Sequence, residues 1–124
     1  MPFNLRRTLM MRVVIVLIVT LSASGFAADV AIKGHLVDVS CAGRKASRPD
    51  FLPTHSKSCM QMPSCNRSGF GVFTEDKKFI KFDEDGNEKA RKFLGETNAT
   101  HDFKVTVSGS VDGDTMKVVK IESQ

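Results

Sequence analysis

Cys41, His55, Cys59 and Cys65 are the residues of this chain whose types and spacing could do chemistry. Three thiols and one imidazole match, in number and kind, the donors that fill a tetrahedral metal site. Met60 and Met62 flank Cys59 and add thioethers of the sort that suit Cu(I). The spacing, with 13, then three, then five residues between successive members, follows no zinc-finger pattern. The same sulfurs also point to a staple. Closing the 25-residue loop from Cys41 to Cys65 would stabilise the fold by roughly 3.5 kcal/mol, against roughly 2.4 for the short loop from Cys59. A structural disulfide between Cys41 and Cys65 is therefore the first expectation. A Cu or Zn site built from Cys41, His55, Cys59 and Cys65 is the alternative. A third reading makes the leftover Cys59 a nucleophile with His55 as its base. Neither an orienting acid nor an oxyanion motif accompanies it, and the Cys-x-x-Cys spacing of dithiol oxidoreductases is absent, so no enzyme and no catalytic residue is expected.

These donors sit in a cationic stretch. Residues 42 to 68 carry Arg44, Lys45, Arg48, Lys57 and Arg67 against Asp50 alone. Phe70 lies just beyond it, with Phe73 close behind. Such a stretch attracts anions, so Arg44, Lys45, Arg48, Lys57, Arg67 and Phe70 form the expected ligand surface for a small or anionic partner.

The flanking segments must hold this stretch in place. Apolar and polar residues alternate from Val30 to Ser40, interrupted at Gly34, which predicts one long strand bent at the glycine. From Cys41 to Ser68 no period persists, and the segment reads as a long loop with one helical turn near Cys59 to Met62. Residues 69 to 74 and 78 to 82 predict a hairpin, and Asn87 to Leu94 a two-turn helix with Asn87 as N-cap and Gly95 as its end. Strands follow at 101 to 111 and 116 to 121, joined by a tight turn at Asp112-Gly113. Five strands with one short helix between the third and fourth give a mainly β chain in the order of an OB-like barrel, whose first long loop commonly forms part of the binding face. A loop of this length in so small a domain is usually functional or disordered.

The N-terminal segment predicts export. Arg6, Arg7 and Arg12 precede an apolar run from Val13 to Leu21, and Gly25-Phe26-Ala27 fits a small-x-small cleavage rule. The run is shorter than the ~20 residues a bilayer-crossing helix needs. The expected organisation is a cleaved signal peptide over 1 to 27 and one domain over 28 to 124, periplasmic or secreted, touching the membrane only through its export signal. Cleavage leaves 15 basic against 14 acidic residues, a charge of +1, so the basic precursor gives no ground for a nucleic-acid partner. No feature specifies an oligomeric state. Asp83-x-Asp85-Gly86-Asn87 lacks the closing glutamate of a calcium loop, because position 94 is Leu. His35 and His101, alone on or beside strands, read as surface residues.

Several motifs together resemble a group of small exported bacterial proteins of uncharacterised function. They are Asp38-Val39-Ser40-Cys41, His55-x-x-x-Cys59 with Cys65, Ser68-Gly69-Phe70-Gly71-Val72, Lys81-Phe82-Asp83-Glu84-Asp85-Gly86-Asn87-x-Lys89-Ala90 and Gly109-x-x-x-Gly113-Asp114-Thr115. The resemblance implies export, a small barrel and a recurring three-cysteine pattern. It implies no activity, substrate or catalytic residue.

Overall fold

The computed structural model describes residues 29–124, so the expected signal peptide lies outside the described residues. Five strands form one mixed sheet: β1 (Val30–Asp38), β2 (Phe70–Thr74), β3 (Phe79–Phe82), β4 (Lys104–Asp112) and β5 (Thr115–Ser123). Their order is β1-β2-β3-β5-β4, and β4 pairs back onto β1, so the sheet closes on itself. All pairings are antiparallel except the short parallel contact of β3 with β5.

β1 serves two neighbours. Residues Val30 to His35 pair with β4, and Gly34 to Asp38 pair with β2. Gly34 is the crossing point, and a Cβ there would collide with the carbonyl oxygen of Phe73. The strand bends where only glycine lets two other backbones approach. Strand alternation then sorts the side chains beyond the bend. Leu36 faces the main core with Phe70, Val72, Val105, Val107 and Met116, all essentially solvent-free. Val37 faces the other way, into a second buried cluster with Cys41 and Cys65.

The single long helix between β3 and β4 follows the expected order but not the expected bounds. It runs from Glu84 to Glu96, and Asp83 caps it by accepting from the Gly86 N–H. Gly95 lies inside it, and the chain leaves at Thr97. Asn87 is not the cap: its side chain accepts a hydrogen bond from the Phe70 N–H and so tethers the start of β2. Ala90 and Leu94 bury the helix against the core.

The larger correction concerns residues 41 to 68. The segment expected to be a loop with one helical turn near Cys59 to Met62 folds into four short helices, α1 (Val39–Lys45), α2 (Phe51–Thr54), α3 (Lys57–Met60) and α4 (Pro63–Ser68), of which α3 overlaps the expected turn, and the long helix is therefore α5. Helices of one or two turns are unstable alone. These are held by local caps and by contacts to the sheet. Asp38 caps α1, Ser56 caps α3, and Pro63 opens α4 at a position whose missing N–H costs nothing. Met60, wholly buried in the main core, pins α3 to the sheet.

Candidate metal centre

Asp38 is the last residue of β1 and the organiser of the site. One carboxylate oxygen, Oδ2, accepts the Cys41 N–H at 2.9 Å, which starts α1 and fixes Cys41 one turn from the strand. The other, Oδ1, accepts from Nε2 of His55 at 2.8 Å. His55 reaches it from the end of α2, where its backbone N–H donates to the Phe51 carbonyl and its ring lies tilted by 36° against Phe51, centroids 4.5 Å apart. Both partners are sealed from solvent, with side-chain exposures of 4% for His55 and 0% for Asp38.

Cys59 and Cys65 arrive on α3 and α4. The Cys59 N–H donates to Ser56 Oγ at 3.1 Å, and the 56–57 backbone is held by Ser56 bridging His101 and by Lys57 N–H donating to the Thr100 carbonyl. α4 is bound to α1 through Ser68, whose Oγ accepts from the Ser40 N–H and donates to the Cys65 carbonyl. On its other side, Arg91 of α5 donates to Asn66. The outcome is a convergence: the sulfur atoms of Cys41, Cys59 and Cys65 lie within 4.8 Å of one another. Cys41 and Cys65 are buried and Cys59 is partly exposed, so the cluster is open on the α3 side.

The antiparallel pairing of β1 with β2 does bring Cys41 and Cys65 together, yet no disulfide joins them, and no two of the three sulfurs are at bonding distance. Neither does the expected four-donor set form as one group. His55 stands within 4.8 Å of Cys41 and Asp38, so Cys41 belongs to two overlapping triads, one of sulfurs and one of Asp38, Cys41 and His55. Asp38, which the chemistry-bearing residue types alone did not single out, is the hinge between them. The signal for it was the Asp-x-x-Cys spacing, in which a carboxylate three residues before an amide caps a helix.

The electrostatics of the pair and the thiol oppose each other. Burial by itself would raise the Asp38 pKa, but the His55 ring, the Cys41 N–H and the Cys41 thiol all donate to the carboxylate, and together they hold it below its ordinary 3.8. The same contact acts in reverse on the thiol. Burial first, then the Asp38 charge, pushes Cys41 from 9.0 up to about 12. Cys41 thus keeps its proton at neutral pH unless a cation takes its place.

Three of the cationic residues expected to form one ligand surface are bonded to the protein's own groups. Arg44 folds back onto Ser40, Arg67 onto the Pro63 carbonyl, and the Lys57 ammonium donates to the Thr97 carbonyl. Lys45 ends α1, and its side chain lies outside the described atoms. Phe70 is fully buried in the core rather than beside a ligand, since strand alternation places it on the same face as Val72. Arg48 and Phe73 line a cleft beside the thiols. His101 is exposed at the surface, whereas His35 is half-buried and donates to Asp102. Comparison with family models, curated proteins and solved structures gives no match to this chain.

Proposed function

We propose that this chain is an exported, non-enzymatic OB-like module that binds one soft metal ion, Cu(I) or Zn(II), through Cys41, Cys59 and Cys65. The observation that carries the reading is the mutual approach of three sulfurs within 4.8 Å at the end of a closed sheet. Thiolate-rich sites select Cu(I) and Zn over harder ions. Three thiolates beside a buried carboxylate would repel one another, and a bound cation removes that repulsion. For zinc a fourth donor is needed, and His55, within 4.8 Å of Cys41 but outside the sulfur triad, would have to turn toward Cys59 and Cys65 to supply it. Its Nε2 is committed to Asp38, the carboxylate–histidine arrangement that orients a metal-binding imidazole, which leaves Nδ1 for a metal. Against a thiol enzyme with Cys59 as nucleophile stands its proposed base, since the His55 ring is hydrogen-bonded to Asp38 and groups with Cys41 rather than with Cys59. The OB-like reading is supported by β1, shared between two halves of the sheet. Export is supported by the apolar run 13–21 and the small residues before Ala28.

Reduced protein titrated anaerobically with Cu(I) or Zn(II) should take up one equivalent by native mass spectrometry. X-ray absorption of the zinc form should show sulfur at about 2.3 Å. Each of Cys41→Ser, Cys59→Ser and Cys65→Ser should weaken binding by more than roughly a hundredfold, since second-shell changes alone cost 10–100-fold. His55→Ala separates the two ions: zinc affinity falls and Cu(I) affinity holds. Protein that takes up no metal when reduced, and carries one bridge and one thiol when isolated from the periplasm, would overturn the proposal in favour of a staple.

A further inference from the structure

A cleft of about 670 Å³ opens on the outer side of the β1–β2 pair, between Gly34, His35, Phe73 and Thr74 of the sheet and the α1–α2 connection that arches over them. Its volume falls in the range of small-molecule sites. It is separate from the thiols but backed by them. Ala42, Leu52 and Phe73 line the cleft and also pack against the cysteine cluster.

The lining has two parts. Ala42, Ala46, Leu52 and Phe73 make an apolar wall, and Arg48, Lys77 and Lys104 line it with Glu75 as the one acidic side chain of the lining. Lys104 shares Asp102 with His35, at 4.0 Å and 2.8 Å respectively. Arg48 and Lys77 make no side-chain hydrogen bond or ion pair among the described residues. They approach from opposite walls, Arg48 from the α1–α2 turn and Lys77 from the β2–β3 turn, where it holds a left-handed backbone with φ 62°. Two uncommitted cations lining one partly apolar trough are complementary to one anionic head group on an apolar body.

We infer that the cleft between the β1–β2 pair and the α1–α2 turn binds a small monoanionic amphiphile, a carboxylate carried on a short apolar body, with Arg48 and Lys77 on the head group and Phe73 and Leu52 on the body. The inference does not rest on the metal reading, because the sulfur ligands do not line the cleft.

Octanoate, octanol and inorganic phosphate, each titrated into ¹⁵N-labelled protein and followed by amide shifts, test it. Octanoate should shift Gly34, Gly43, Phe73 and Lys77 along one saturable curve. Octanol should bind about tenfold or more weakly, and the double variant Arg48→Gln, Lys77→Gln should weaken octanoate by a similar factor while leaving octanol unchanged. Phosphate at the same concentration should neither shift these amides nor compete. Equal binding of octanoate and octanol, displacement by phosphate, or shifts that do not saturate at these residues would each overturn the inference. Retention of the wild-type amide spectrum elsewhere shows that the variant is folded.

Discussion

Two histidine–carboxylate pairs in this molecule have the same length and opposite surroundings. His55 meets Asp38 and His35 meets Asp102, both at 2.8 Å. The first pair is sealed beneath α1 and α2, while the second keeps 20% of the histidine and 36% of the aspartate side chain in solvent. Distance alone would rank them equal. Burial does not, because a group that loses its partner at the surface is rehydrated and one that loses it in the interior is not. Asp38 is also shared: it serves a helix cap, a histidine and a thiol at once.

The sharpest way to break the comparison is to delete both carboxylates. Asp38→Ala strands the His55 ring and the Cys41 N–H in a dry environment, and should cost about 3 kcal/mol, read as a fall in the urea midpoint with unchanged slope. Because Asp102 holds a positive φ that alanine disfavours, the comparison of sites uses the asparagine pair: if Asp38→Asn and Asp102→Asn shift the midpoint equally, burial is not the deciding variable.

The second test uses the thiol that only the buried pair perturbs. With a pKa near 12 against an ordinary 9.0, Cys41 should react with iodoacetamide at pH 8 at least roughly a hundredfold more slowly than an unperturbed thiol, because only the thiolate is nucleophilic. Peptide mapping of timed samples assigns the rates. Asp38→Asn removes the charge that helps hold the proton and should speed labelling of Cys41. The sign for stability follows from the raised value. Folded Cys41 keeps its proton while the unfolded thiol ionises, so stability declines as pH climbs from about 9 toward 12. Cys41→Ser should flatten that decline.

On the acid side the sign reverses. Folded Asp38 binds its proton less readily than the unfolded chain, whose carboxyl titrates near 3.8. Its contribution is complete above that value and is lost as the pH falls through the lower folded value. Urea midpoints from pH 6 downward should therefore drop for the wild type, and less steeply for Asp38→Asn. Parallel curves would remove Asp38 from the acid transition.

How much of this could be read from residues alone follows the same division between local and tertiary causes. The strands were legible because Phe103, Val105 and Val107 alternate with polar neighbours, and because Gly34 interrupts a pattern that would otherwise run on. The convergence of the cysteines was legible through topology, since a thiol after β1 and one before β2 are neighbours whenever those strands pair antiparallel. Of the helices of 39–68 only the turn near Cys59 was, because four to seven residues hold too few turns for a period to emerge, and their stability comes from the caps Asp38 and Ser56 and from Met60 reaching into the core. Phe70 was misplaced by its nearness to the cysteine stretch, although its parity with Val72 assigns it to the core. The role of Asp38 was hidden for a different reason. A capping carboxylate is ordinary, and only the fold brings His55 to its second oxygen.

The smallest effect is expected at the exposed pair, and it is the control that gives the others meaning. Asp102 has a positive φ of 54°, a conformation that aspartate tolerates better than most residues, so Asp102→Ala adds a backbone cost to the loss of the His35 contact. Replacing it with asparagine keeps the backbone preference and a hydrogen-bond acceptor while removing the charge. Asp102→Asn should therefore change stability by less than about 1 kcal/mol, the range of solvent-exposed pairs, and 1 M salt should shrink that difference further. The corresponding Asp38→Asn difference should persist in salt, since ions do not reach a carboxylate with no exposed surface. Equal salt sensitivity at the two sites would mean that solvent reaches Asp38, and the thiol cluster built around it would lose its dry wall.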